Sequence, residues 1–525
     1  MKKIHSTGVK AFRSFTRLFS SFFIFFILFG NLFFFTHAQA AGPEYGGRLT
    51  FLGEVDVRGF DAIKTRSLVG GGRIVARLVM DKLFSRGENG ELLPGLGLSA
   101  VNSKDGKTWT IVLRQGVKFH DNTPFNADAV VHHWKRILNP ENRFRGLLLI
   151  QPIVSVEKTK EFEVRFHLKH AWTPFTAFLT NPSGFSALIP SPTAVENGTH
   201  NLSPVGTGPF VFKEWKRGDY LLVAKNSAYW QKGKPYLDEV VFKAIPDHGA
   251  RYATLASGQA DLMITDRAMH VKKLEKNPEF TTYLLKWRGA SIITMNNMKP
   301  PLDDVRVRRA IALGWDQKQY IRMSFKDIVP HAEHWFGDAI NCKDVGYPAP
   351  DLEKARQLIQ DYGKPVALEY IHTATNRGKE AGVIMQQMMK KIGVKITPVP
   401  SDYPGLIKRL VSKKFDMTSW GIPGAYDMGP ITTAVLHSKS PWNVSRYTSQ
   451  EMDKTLMELR RTKDPGQREK IMCRIARKVN SEKPFLFIFG RTYYVFAKKN
   501  IRNIALPILG EEGLNISEAW LSNGH

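Results

Sequence analysis

The sequence predicts an α/β protein of two lobes, on three observations. With 525 residues the chain exceeds what one hydrophobic core serves, because cores stop growing near about 250–300 residues. Strand-like and helix-like segments alternate throughout, the pattern of sheets covered by helices. A strand at 239–245, a helix at 250–257 and a strand at 260–264 have the spacing of a β-α-β unit, whose strands run parallel beneath the crossing helix.

The elements follow in order. Lys2, Lys3, Lys10, Arg13 and Arg17 precede an apolar run over 18–35, and Ala38-Gln39-Ala40 stands before Ala41. That order predicts a secretory signal peptide over 1–40, with an uncleaved anchor as the alternative. No cysteine follows the run, which argues against a lipid-anchored form. From 73 to 84, Ile74, Val75, Leu78, Val79 and Leu83 recur at helical spacing, an amphipathic helix. Residues 108–113 are strand-like. Asn126 is placed to cap a helix over 127–138 that turns Val130, Val131, Trp134 and Ile137 inward. Residues 161–168 alternate as a half-buried strand does. Beyond Pro300 come helices at 305–313 and 352–362, a strand at 366–371, a helix at 379–392 and a strand at 394–399. These two α/β blocks are each expected to have their own sheet. After the strand-like run 414–418, residues 419–430 read SWGIPGAYDMGP. Glycine and proline at that density predict a loop, with Asp427 its one charged group.

Composition excludes some functions. The formal charge of +27 falls by the five signal-peptide cations to +22, and such a balance invites a nucleic-acid reading. Export removes that partner, and the cations are spread along the chain rather than interleaved with aromatics, so basic surface is the expectation. Cys342 and Cys473 are the only cysteines. An oxidising compartment permits a bridge between them, and their spacing leaves a bridge and two buried thiols both open.

Catalytic and metal motifs are weak. Gly206-Thr207-Gly208-Pro209 has no Lys-Ser or Lys-Thr at P-loop spacing, and Pro209 lacks an amide that a phosphate cradle needs. It is expected to be a scaffold turn. His331-Ala332-Glu333-His334 offers two imidazoles and a carboxylate, but not on one helix face, and no metal site is assigned. His132-His133 points to two sides of a helix, and His120 is expected to make structural hydrogen bonds. No G-x-S-x-G, C-x-x-C or H-E-x-x-H occurs, which disfavours a secreted α/β hydrolase. Asp303-Asp304 precedes a helix, where capping accounts for both. Arg306, Arg308 and Arg309 on that helix are expected to be surface charges.

Several segments together resemble the family 5 extracellular solute-binding proteins of bacterial ABC importers. They are KFHDNTPFNADAV at 118–130, PVGTGPF at 204–210, YWQKGKPYLDEV at 229–240, the stretch Arg251 to Asp261, and PLDDVRVRRA at 301–310. The resemblance implies a periplasmic-binding-protein type II-like α/β fold, two lobes around a ligand cleft, with a subdomain inserted in lobe I. It places lobe I at 41–77, 204–290 and 486–525, the insertion at 78–203 and lobe II at 291–485. It also implies a monomeric periplasmic receptor, with no catalytic role and no cofactor, that captures a peptide or similarly sized solute and hands it to a membrane permease. A nickel or metal-complex receptor of the same family is the alternative.

Peptide-binding relatives carry an amine-pairing aspartate three residues after a tryptophan; here Pro423 stands three after Trp420. Nickel-type relatives begin the loop Trp-Gly-x-Pro, as Trp420-Gly421-Ile422-Pro423 does, and end it near a histidine that Met428-Gly429-Pro430 does not supply. The resemblance leaves Trp420 and Asp427 as ligand contacts, ring and carboxylate, with Tyr426, Tyr45, Trp442 and Asn443 as further cleft residues.

Overall fold

A computed structural model describes residues 42–61, 63–65, 71–87, 90–172, 175–180, 187–506 and 514–522. The expected signal peptide, 1–40, lies outside them.

The residues from Pro43 onward form one unit organised by a ten-stranded mixed sheet. Its strand order is Val394–Ser401, Val366–Thr373, Met417–Ile422, Phe280–Met295, Phe485–Lys498, Leu262–Thr265, Arg48–Gly53, Glu239–Ala244, Tyr220–Lys225 and Phe210–Lys216. The expectation of a separate sheet in each block is corrected here. Phe280–Met295 and Phe485–Lys498 are long enough to serve both halves, and they pair antiparallel along nearly their whole length. Sixteen residues in Phe280–Met295 extend about 50 Å. One end of this ribbon pairs with Leu262–Thr265, the other with Met417–Ile422.

The ribbon is broken in the middle. Lys286 lies opposite Thr492 and Ala290 opposite Gly490, so the first strand has extra residues between them. Such bulges bend a strand and re-aim its side chains. Gly289 takes φ +95° there, and a Cβ would run into the Ile422 carbonyl oxygen, so this position requires glycine.

In the first half, Arg48–Gly53 lies between Glu239–Ala244 and Leu262–Thr265 and is parallel to both. The expected β-α-β unit is present, opened by insertion of the chain's first strand. Its helix His248–Ala256 is capped by Asp247, which accepts from the Ala250 amide. In the second half, Val366–Thr373 is parallel to Val394–Ser401 and Met417–Ile422, with helix Asn376–Lys390 crossing between the first two. Asp304 caps Val305–Gly314, as Asp303-Asp304 led one to expect. Arg308 departs from the expected surface position. It is buried and donates to the carbonyls of Leu302, Asp303 and Glu482.

A separate four-stranded sheet holds Gly97–Asn102, Thr108–Leu113, Glu163–Leu168 and Ile153–Lys160 in that order. Helix Ala127–Leu138 packs on it, capped by Asn126, and buries Trp134 edge-on to Phe166 at 5.0 Å. The amphipathic helix expected from 73 to 84 is Gly71–Val79, because Phe84 already begins a strand. The Gly206–Pro209 turn packs against that helix's end. The Gly208 amide donates to the Val79 carbonyl at 2.9 Å, and a Cβ at either glycine would meet backbone. His120 Nε2 lies 2.9 Å from the Gly208 carbonyl, the structural bond expected of it.

Cys342 and Cys473 are joined as a disulfide, with Cα atoms 6.0 Å apart. It ties the segment after Gly337–Ala339 to helix Pro465–Glu482 and resolves the alternative that spacing left open. Among the described residues no helix is long and apolar enough to cross a membrane.

Candidate functional site

Parallel strands in both halves end toward one cavity of about 220 Å3 beside the broken ribbon. Crevices outside the carboxyl ends of parallel strands are the usual ligand position in open α/β sheets. Asp266 follows the end of Leu262–Thr265, and Ser291 follows the bulge. His372 and Thr373 end Val366–Thr373, and Arg377 and Gly378 lie in the first turn of Asn376–Lys390. Ser419 and Trp420 come from Met417–Ile422, and Phe489, Arg491, Thr492 and Tyr493 from the crossing strand. Tyr320 and Phe325 close one side.

The charges are organised around Asp266. Arg377 donates to both its oxygens, at 2.6 and 3.0 Å. Burial opposes ionisation of Asp266, but the Arg377 guanidinium outweighs it and holds the carboxyl below its ordinary range. Behind the pair, Glu54 lies 3.5 Å from both Arg251 and Arg267. Arg491 stands where Gly421 leaves room for it, its Nη1 3.5 Å from where a Cβ would project. His372 Nδ1 faces the Thr373 carbonyl at 2.9 Å. A carbonyl only accepts, so Nδ1 carries the proton.

Of the six residues expected at the cleft, Trp420 lines this cavity. It does so from a strand, because the expected loop is shorter than its composition suggested. Met417–Ile422 continues through Trp420-Gly421-Ile422, and Met428–Leu436 is helical. Gly421 fits the strand beside Arg491, and Pro430 falls within the helix's first turn, where proline is tolerated.

The other five lie elsewhere. Asp427 caps Met428–Leu436 by accepting from the Gly429 amide at 2.8 Å. Both its oxygens also accept from Arg468, at 2.6 and 2.7 Å. Tyr426 has the Arg86 guanidinium 4.3 Å from its ring, and its carbonyl accepts from Arg288 at 2.6 Å. Tyr45 is 60% exposed and donates to the Gly233 carbonyl at 3.0 Å. Trp442 packs against the core around Ile431 and Leu456. Asn443 is buried, donates to the Tyr447 carbonyl at 2.7 Å and accepts from Ser445 at 2.8 Å.

Asp266, Arg377 and Arg491 were not singled out from the sequence. One signal was available for Arg491, the one cation within the run FLFIFGRTYYVFA before Lys498. Arg377 was hidden because the helix was expected to start at 379 rather than Asn376. Among the described residues no three His, Cys, Asp or Glu side chains are grouped to hold a metal ion. His331 is exposed and His334 is half-buried, its pKa lowered by burial.

The fold is that of a two-halved α/β protein with a cavity beside a ribbon that both halves share. The profile of "Bacterial extracellular solute-binding proteins, family 5 Middle" matches residues 91–443, and the chain belongs to that family. The chain is 28% identical to the glutathione-binding protein GsiB of Pectobacterium atrosepticum, over 79% of this chain and 83% of the relative. It is 25% identical to the nickel-binding periplasmic protein of Escherichia coli, over 83% and 88%. Its fold matches the periplasmic binding protein DppA of Helicobacter pylori in complex with peptide STSA, with TM-score 0.82 and 23% identity over 91% and 99%. The fold is thus of the type II periplasmic-binding-protein class. The protein is a solute receptor of an ABC importer acting outside the cytoplasm, not an enzyme.

Proposed function

We propose that the chain captures a peptide or a similarly sized solute in the cavity beneath Trp420 and delivers it, as a monomer, to its permease. The observation that carries this reading is the convergence of strand ends from both halves on one cavity walled by Trp420, Phe489 and Tyr493. Relatives named for glutathione and for a bound peptide support the solute class. Signal-peptide cleavage after Ala40 would release the mature receptor, with 291–485 as one lobe and the segments before and after it as the other. Trp420 is the residue of the expected set that contacts the solute.

Native mass spectrometry of the protein purified from its own periplasm identifies the occupant and the mature N-terminus together. Ser291→Tyr should fill the cavity and abolish calorimetric binding of that occupant while the far-UV spectrum is unchanged. Undiminished binding by this variant would refute the assignment of the cavity.

A further inference from the structure

A second cavity, of about 300 Å3, shares no lining residue with the cavity beneath Trp420. Lys169 and His170, just after strand Glu163–Leu168, form one side of it. His437, Lys439 and Arg460, at the ends of helices Met428–Leu436 and Gln450–Arg461, form the other. Leu149, also in its wall, packs against the core around Ile431 and Leu456, so the two sides meet there. Among the described residues lining it there is no Asp or Glu. Asp453 accepts from the Ser438 amide at 2.9 Å and lies 3.8 Å from His437 Nδ1, but it does not line the cavity. Lys169, Lys439 and Arg460 form no ion pair with any described residue. Arg460 is half-buried, and burial lowers its pKa with no carboxylate to oppose it. Burial also opposes the charge of Arg377 in the other cavity, but Asp266 more than offsets it there.

Like charges around a space of this size stand within about a Debye length, roughly 8 Å at physiological salt, so they repel across the contact. Both helices end here, and cations near a helix C-terminus offset its dipole. The carbonyls of those ends are already engaged, however. Thr433 accepts from the His437 amide, Ala434 from the Ser440 hydroxyl and Glu458 from the Thr462 amide. Lys169 belongs to neither helix, and the dipoles do not account for it. An oxyanion would meet what the site offers. Arg460 has a planar fork that suits it, and the lysines add point charges. His437 Nδ1 accepts from the Lys439 amide at 3.2 Å, which leaves its proton on Nε2 as a further donor. The volume stands at the lower end of the roughly 300–1,000 Å3 of ligand sites, a size suited to a small free ion. We propose that this recess is a second binding site, taking a multivalent oxyanion of phosphate type that bridges Lys169 on one side to Lys439 and Arg460 on the other.

The test uses the mature protein in chloride buffer free of phosphate and sulfate. Pyrophosphate should bind at one site per chain by calorimetry and raise the melting temperature, and chloride at matched ionic strength should do neither. Arg460→Gln should weaken pyrophosphate by at least about tenfold, the loss expected for a hydrogen bond to a charged group. Lys169→Glu, at an exposed position, supplies the missing counter-charge. It should raise the melting temperature in chloride alone and abolish the further rise with pyrophosphate, whereas a merely solvated lysine would show neither effect. Equal stabilisation by chloride and pyrophosphate, or pyrophosphate binding unchanged in both variants, overturns the proposal. Retention on phosphatidylglycerol vesicles that Arg460→Gln removes, with no binding of free pyrophosphate, overturns it in favour of a lipid surface. None of these outcomes touches the Trp420 cavity, so the receptor reading is judged separately.

Discussion

Asp427 and Arg468 show how the fold can claim a residue whose sequence context suggests a ligand. The carboxylate lies one residue before a helix and accepts from both the Gly429 amide and the Arg468 guanidinium. Arg468 is itself buried and also donates to the Leu459 and Thr462 carbonyls. Asp427→Ala would leave that cation without its counter-charge, a loss of about 3 kcal/mol. Urea unfolding should show the lower stability, while affinity for the solute stays within about twofold. Tenfold weaker binding at an unchanged urea midpoint would return Asp427 to the solute. Trp420, singled out through the Trp-Gly-x-Pro likeness of its segment, lines the cavity. The pairing of Asp427 was not legible because its partner lies 41 residues away, and sequence spacing gives no distance between such groups.

At the scale of elements, two buried titrating groups beside the Gly206–Pro209 turn have opposite pH behaviour. Asp81, just after helix Gly71–Val79, accepts from Trp230 Nε1 at 2.8 Å, Thr207 at 3.0 Å and Tyr229 at 3.2 Å. Burial pushes it up to about 6 despite those donors. Its folded pKa is above its unfolded value, so its contribution is greatest below about pH 4 and declines as pH rises through 6. His200 accepts from the Val205 amide at 3.3 Å, and burial pushes it down to about 4. Its contribution is complete above about 6.5 and is lost as pH falls toward 4.

Asp81→Asn should therefore steepen the loss of stability on acidification from pH 7 to pH 4, and His200→Gln should flatten it. Melting temperatures of the three proteins across that range check both signs. Equal slopes in all three would mean that neither group titrates differently on folding. The helices here were legible because their caps are local: Asn126 and Asp304 each satisfy amides within three residues. The ten-stranded sheet was not, because the partners of Phe280–Met295 lie far along the chain.

Across the whole molecule, the two halves share a covalent and hydrogen-bonded ribbon, so any change in their separation must be absorbed where the ribbon is irregular. The register shifts at Lys286/Ala290 and again at Ser291/Ile292, and a few residues suffice to take up a hinge motion. Two contacts cross beside these shifts. Arg377, on the half built around Val366–Thr373, holds Asp266, which follows a strand of the other half. Tyr426, just before helix Met428–Leu436, receives the Arg86 guanidinium from strand Phe84–Arg86. Both contacts favour the halves drawn together, and the ion pair is the stronger because it is bidentate and partly buried.

Asp266→Asn removes its charge while preserving its shape, and should shift the solute-free protein toward a more open population. Small-angle scattering should then give a larger radius of gyration for the variant without solute, and the difference should shrink when solute is saturating. Affinity should fall by no more than the free energy of that shift, since a ligand recovers only what separates the two states. Identical scattering from variant and wild type, with and without solute, would show that the pair does not hold the halves together. Its role would then be confined to neutralising Arg377 within the cavity.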